Sequence, residues 1–220
     1  MTATAFVEDS QPAPPPAERE DRVRTAEGPS GAIVLARHGE PALSRRVKLD
    51  AAGYRRWWAT YEEGGLLRGQ TPPRELAELA CQCGEVFSSV RPRSVETARA
   101  LAGERPFKPD AVFIEAPLPP PNWPGFVRLS PRAWGVVARS AWWFFNHHAG
   151  EESRRQATVR ARRAALRLIQ AADDGDDVLV VAHGFFNAMI GRELKKLGWR
   201  CVSDQGYRYW CAQRFERGPA

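Results

Sequence analysis

The sequence predicts an α/β protein in which helices cover both faces of a single sheet. Short apolar runs alternate with longer amphipathic stretches along its 220 residues, the pattern of a wound sheet rather than of a bundle or a sandwich. Two of the runs, Ala32 to Ala36 and Val178 to Ala182, leave no room for a helix and read as buried strands. Each of these two is followed by a histidine and a glycine, Arg37-His38-Gly39 after the first and His183-Gly184 after the second. In an open α/β sheet, ligands bind at the carboxyl ends of parallel strands, so a facing pair of imidazoles is expected there.

Residues 1–29 place Pro12, Pro14, Pro15 and Pro16 among Glu, Asp, Arg and Thr, with almost no large apolar side chains. Burial there cannot offset the entropy of ordering, so 1–29 reads as a flexible arm in front of one domain over 30–220. Ala32 to Ala36 is the first strand, and Leu49 to Glu62 is a helix. On that helix Tyr54, Trp57, Trp58 and Tyr61 recur at i, i+3, i+4 and i+7, which reads as a core stripe rather than a binding box. Pro72 and Pro73 precede a second helix, Arg74 to Cys83. Glu85 to Ser88 is a strand, and a helix follows from Ser94 to Ala102, stopped by Gly103. Ala111 to Glu115 reads as a further strand. It opens into the proline-rich loop 117–125, which can be neither helix nor inner strand and is placed to border a pocket.

Ser130 to Asn146 is a tryptophan-rich helix, and Glu151 to Ala172 is an amphipathic one. Ala157, Ala161, Ala164, Ala165, Leu168 and Ala172 form its buried stripe, which leaves the arginines at 154, 155, 160, 162, 163 and 167 as a solvated face. A turn over Asp173 to Asp177 leads into the second diagnostic strand. Phe186 to Leu197 is then a helix, and Tyr207 to Ala212 is a last strand at an edge of the sheet.

Composition narrows the function. A hydrophobic fraction of 43% over this length suits one domain with a buried core. The start of the chain carries Glu8 and Asp9 and turns polar, unlike a secretory signal. The most apolar later stretch, Ala133 to Phe145, is interrupted by Arg139 and is shorter than the ~18 residues of a spanning helix. Cys81, Cys83, Cys201 and Cys211 form no CxxC pair and have no histidine at zinc-ligand spacing, so reduced thiols in a cytoplasmic protein without metal are expected. The net charge of +6 leaves nucleic acid, an anionic membrane surface and anionic small substrates open. No nucleic-acid-binding signature is present in the sequence, and neither a nucleic-acid nor a membrane partner is expected.

Three further segments complement His38. Arg93 follows the strand Glu85 to Ser88, Glu115 ends the run at Ala111, and His183 ends the strand at Val178. A phosphate monoester carries close to two negative charges, so a nucleophile reaches its phosphorus only where they are compensated. Arg37 and Arg93 suit that role, because guanidinium forks match phosphate oxygens. A neutral His38 is the candidate nucleophile and would become a phosphohistidine. Glu115 is the candidate acid for the leaving alkoxide, and as carboxylate the base for water. His183 would hold a phosphoryl oxygen opposite the arginines.

Arg37-His38-Gly39, Ser88-Ser89 through Arg93 to Thr97-Ala98, Glu115 and His183-Gly184 together resemble the histidine phosphatase superfamily, also called phosphoglycerate mutase-like. The resemblance runs over nearly all of residues 31–212, in the family's order. It implies a three-layer α/β/α sandwich with a mostly parallel central sheet, phosphoryl transfer through phosphohistidine, and no metal or other cofactor. It also assigns His38 as nucleophile, Arg37, Arg93 and His183 as the phosphate pocket and Glu115 as proton donor. The family places its arginine four residues before Thr, which selects Arg93 over Arg91 at the rim. Ser88 and Ser89 end their strand in this family, and their hydroxyls are expected to satisfy local backbone.

Two departures stand out. The family commonly has a phosphate-binding asparagine after Arg-His-Gly. Here the segment runs from Glu40 to Arg46, with Ser44 and Arg45 as candidate substitutes. The familiar Gly-x-Trp-Glu-Gly after the acid is replaced by the proline loop ending in Trp123-Pro124-Gly125. Trp123, Arg128 and Arg132 lie beyond the acid, where they can line a substrate pocket or simply pack. His147 and His148 read as a helix end, and Asn187 either contacts ligand or caps structure. The expected activity is a phosphatase acting on a small phosphorylated substrate. The alternatives are mutase-type transfer, or a phosphate-binding protein without catalysis.

Overall fold

The computed structural model describes residues 30–218, so the arm expected over 1–29 lies outside the described residues. A six-stranded sheet runs through the centre, in the order β3-β2-β4-β1-β6-β5. The strands are β1 (Ile33–Arg37), β2 (Glu85–Ser88), β3 (Lys108–Pro109), β4 (Val178–Ala182), β5 (Trp199–Asp204) and β6 (Ala212–Arg217). β1 to β4 are mutually parallel, and only β6 runs against its neighbours, pairing antiparallel with both β1 and β5. The mixed α/β class and the mostly parallel sheet expected from the sequence are therefore both present.

Successive strand residues point to opposite faces, and the two faces of β1 and β4 enter different cores. Ile33, Leu35, Val178 and Val180 pack beneath α5 (Arg154–Ala172) and α6 (Gly184–Lys196). Val34, Ala36, Leu179 and Val181 pack against α2 (Arg74–Gln82) and α3 (Pro92–Ala102). This makes the three-layer sandwich. The alanine stripe of α5 is fully buried as expected, and side chains this small let the helix lie close on the sheet. A capping box closes its first turn, with Ser153 and Gln156 satisfying each other's backbone N–H.

A third cluster sits off the sheet. Tyr54 of α1 (Ala51–Glu63) stacks on Trp134 of α4 (Pro131–Phe145), with ring centroids 5.9 Å apart. Asp50 caps α1 and Ser130 caps α4, each accepting a hydrogen bond from the third residue on. Leu49 and Leu129 exchange backbone hydrogen bonds of 2.9 Å, which tie the two helix starts together. Gly103 takes φ 61° to end α3, a conformation that glycine adopts without strain.

Two predicted strands are corrected. Ala111 to Glu115 contains a 3-10 turn at Ala111–Phe113 followed by extended coil, and the edge pairing falls on Lys108–Pro109. Pro109 has no N–H to continue a ladder, and the Asp110 carboxylate accepts from Val112 N at 2.9 Å, which turns the chain away. Tyr207 to Cys211 lie in the loop joining β5 to β6, with Trp210 in the left-handed region at φ 63°, and Ala212 opens β6. Its aromatic residues mimic a strand by propensity, but each has a separate partner: Tyr207 lines the cavity described next, Tyr209 lies against Arg37, and Trp210 packs on the core. The strand Trp199–Asp204 carries no sequence signal, because its burial follows no regular alternation.

Candidate functional site

Strand register decides the central geometry. Arg37 pairs with Ala182 across β1 and β4, so the next residues, His38 and His183, emerge side by side. His38 N donates to Ala182 O at 3.0 Å, and the two ring centroids are 5.1 Å apart. Both rings are buried, at 2% and 1% exposure. They line a cavity of about 480 Å³ together with Arg37, Arg93, Glu115 and Arg45. Six of the seven residues singled out from the sequence thus meet at one place. Ser44 is the exception, because its hydroxyl accepts from Arg46 N at 3.2 Å and its side chain borders a neighbouring groove.

Hydrogen bonds select the tautomers. His38 Nδ1 lies 2.7 Å from Gly39 O, and a carbonyl only accepts, so Nδ1 carries the proton and Nε2 keeps its lone pair. His183 is set the other way. The Arg93 guanidinium donates to its Nδ1 at 3.4 Å, and Nε2–H donates to Ser89 Oγ at 2.9 Å. Burial, reinforced by Arg93 for His38 and by the His38 and Arg93 charges for His183, holds both rings well below the ordinary histidine range. Both are therefore neutral at neutral pH.

The arginines are held from behind. Arg93 has no exposed surface; it donates to Tyr61 O at 2.9 Å and forms an ion pair of 2.7 Å with Glu62. The second oxygen of Glu62 pairs with Arg91 Nε at 2.7 Å, so Glu62 clamps both arginines. The Arg93 guanidinium lies 4.4 Å from the Tyr61 ring centroid, and Arg37 lies 4.4 Å from that of Tyr209 and donates to Tyr207 O. Arg45 donates to the Tyr61 hydroxyl at 2.8 Å. The Nε groups of Arg37, Arg45, Arg93 and Arg139 are all buried without a partner, and all four residues line the same cavity. Orphaned donors of this kind cost ~1–3 kcal/mol each until an acceptor arrives, so their convergence defines an anion site.

Glu115 reaches the cavity from the loop after the 3-10 turn. Its Oε1 accepts from Phe186 N at 3.0 Å in the first turn of α6 and from Ala116 N at 3.2 Å. Burial raises its pKa above the ordinary carboxyl value, although Arg139, the Ala116 N–H and Arg37 pull the other way. Arg160 fastens this loop to α5 by donating to Val112 O at 2.9 Å and Ile114 O at 2.7 Å, with Glu152 paired behind it at 2.6 Å. Arg160 is therefore an internal clamp, which corrects the expectation that it lies on a solvated face.

Other expectations resolve similarly. Ser89 does more than satisfy backbone, since its hydroxyl accepts both from His183 and from Arg91 N. Thr97 Oγ1 accepts from Gly39 N at 3.0 Å and donates to Arg93 O at 2.6 Å, joining the two motif segments. Gly39 itself must be small, because a Cβ there would lie 2.5 Å from the Trp210 ring. Asn187 Nδ2 donates to Ala36 O at 3.0 Å and pins the end of β1. Arg132 lines the cavity. Trp123 packs on Trp134 at 5.7 Å, and Arg128 binds Lys48 O at 3.2 Å. Tyr54, Trp57, Trp58 and Tyr61 pack together as expected, but they also form one wall of the cavity. Glu62 and Tyr209 carry no site motif in the sequence; an acidic residue ending an aromatic helix is the only signal for the first.

A fold with this sheet, and this cluster at the carboxyl edge of β1, β2 and β4, belongs to a known class. The family model of the histidine phosphatase superfamily (branch 1) matches residues 33–204, and the chain belongs to that superfamily. A search of curated proteins finds no significant match. Solved structures that resemble the chain include a mycobacterial glucosyl-3-phosphoglycerate phosphatase in complex with VO3, at 24% identity and TM-score 0.53, with 76% of this chain and 83% of that one covered. An Entamoeba histolytica phosphoserine phosphatase in complex with phosphoserine is similar at 16% identity and TM-score 0.52, over 76% and 80% of the two chains. A phosphoglycerate mutase from Bacillus anthracis is similar at 14% identity and TM-score 0.54, over 88% and 91%. These likenesses share the fold of this chain.

Among the described residues, no helix is long and apolar enough to cross a membrane.

Proposed function

We propose that the protein is a phosphatase that hydrolyses a small phosphomonoester through a phosphohistidine on His38. The observation that carries this reading is the His38 tautomer. A neutral ring with its Nδ1 proton tied to Gly39 O offers Nε2 to a cavity ringed by unpartnered arginine donors. In the first step Nε2 forms a bond to phosphorus while the ester P–O bond breaks, and the Glu115 carboxyl passes its proton to the leaving oxygen. In the second step water attacks the phosphohistidine phosphorus and gives a proton to the Glu115 carboxylate, releasing phosphate and restoring both groups. Arg37 and Arg93 hold the equatorial oxygens, His183 joins them once the bound anion draws a proton onto its Nδ1, and Arg45 holds the open side in place of the family's asparagine. Glu115 suits the acid role because burial raises its pKa toward the working range.

The superfamily contains both hydrolases and mutases, and hydrolysis is the reading preferred here. The loops and extra basic contacts that a mutase needs to keep water from its phosphoenzyme are not recognisable in this sequence. The partner is a small phosphorylated metabolite rather than nucleic acid or membrane. Four unpaired cysteines favour the cytoplasm. The test is a screen over phosphorylated metabolites with chelator present, using His38→Ala as control, followed by trapping of labelled phosphate. Label on the wild-type protein and none on His38→Ala is expected. Phosphate release without any acid-labile label, or conversion of 3-phosphoglycerate to 2-phosphoglycerate with little phosphate release, would overturn the proposal.

A further inference from the structure

The cavity is larger than its anion site. A volume of about 480 Å³ lies in the range that houses drug-sized ligands, and a phosphoryl group fills a small part of it. The remaining space is bounded by rings. Trp57 and Trp58 are half-buried and contribute to the wall, and Phe185 and Leu118 also line the cavity. These aromatic residues are held rigidly. Trp57 stacks on Tyr54 and Tyr61 at 6.0 and 5.0 Å, its indole N–H donates to Ser44 O at 3.1 Å, and Trp58 packs on Tyr61 at 5.3 Å.

Exposed aromatic surface inside a concave site, fixed by packing behind it, recognises apolar ring faces at little entropic cost. The wall also carries polar donors without partners. The Tyr54 hydroxyl is buried on a residue with no exposed surface, and no acceptor reaches it. Arg139, one turn beyond Gly135 on α4, likewise has a buried Nε without a partner, with its guanidinium 4.5 Å from the Phe185 ring centroid. Both residues line the cavity.

We infer that the substrate's alcohol half is a ring with an apolar face, set against the Trp57–Trp58 wall, bearing an accepting oxygen that meets the Tyr54 hydroxyl. This rests on the phosphomonoester reading for the placement of the phosphate, and it names the class of alcohol. Short aliphatic phosphates leave both the wall and the hydroxyl unmet.

Non-hydrolysable phosphonates separate this inference from the proposed activity, since they report binding whether or not the protein turns substrate over. Calorimetry with benzylphosphonate and ethylphosphonate is expected to show about tenfold or greater preference for the ring. Trp58→Leu, which keeps apolar volume, brings the two affinities together, and Trp58→Ala does the same if it folds. A 4-acetylbenzyl analogue binds the wild type more tightly than benzylphosphonate, and Tyr54→Phe removes that gain. Equal affinity of the wild type for the benzyl and ethyl compounds overturns the ring assignment, and an acetyl gain that persists in Tyr54→Phe overturns the role of the hydroxyl. A clear ring preference without hydrolysis of the matching phosphates would instead count against the phosphatase reading.

Discussion

The two buried imidazoles make stability depend on pH in a direction that can be worked out. His38 and His183 ordinarily titrate near 6.5, and burial beside Arg93 holds both well below that in the folded protein. In the unfolded chain the same rings take up protons as pH falls through 6.5. Between the depressed folded pKa and that value the unfolded state binds more protons, so stability drops as pH drops. A ring neutral in the fold and charged when unfolded contributes up to about 1.4 kcal/mol per pH unit, and two contribute up to about 2.7. Glu115 acts in the opposite sense, because its pKa is raised in the fold. It favours the folded state as pH falls through that raised pKa toward 4.5, and offsets part of the loss at the acid end. Urea unfolding from about pH 7.5 to about pH 5.5 measures the slope. The wild type is expected to lose stability steeply, and a His38→Gln/His183→Gln double variant to lose little. Orthovanadate, by placing an anion between the rings, should raise their pKa values and flatten the wild-type slope. A flat wild-type profile, or a double variant with the wild-type slope, would refute the assignment of two neutral buried rings.

Glu115→Gln keeps the hydrogen bond to Phe186 N but cannot supply a proton, so alkyl phosphates should slow by about 10²–10⁴-fold and nitrophenyl phosphate far less; paired rate measurements check this. Arg160→Met frees the Val112 and Ile114 carbonyls, loosening the loop that carries Glu115. Its rate loss should therefore also be greater for poor leaving groups, a dependence that general destabilisation would not produce. Thr97→Val leaves the buried Gly39 N–H without an acceptor, and unfolding curves should record a loss of about 1–3 kcal/mol. Thr97→Ser restores the hydroxyl and should recover most of it.

The sequence by itself determined the parts of the molecule whose information is local. Two apolar runs that lead into His-Gly are legible as buried strands with an imidazole at each carboxyl end, although the register that sets His38 beside His183 is a property of the folded sheet. The alanine stripe of α5 and the Asp50 and Ser130 helix starts are likewise written in short windows. Tertiary structure decided what depends on partners distant along the chain. Arg93 and His183 meet across 90 residues, and Ser89 and His183 across 94. The Glu62 clamp, the Arg160 brace and the loop that delivers Glu115 follow no periodicity, because each is selected by an orphaned carbonyl or charge that folding brings near. The aromatic residues of α1 show the division within one element. Their helical spacing is visible in sequence, but whether a ring faces core or cavity depends on the position of α4, and an amphipathic pattern cannot encode that.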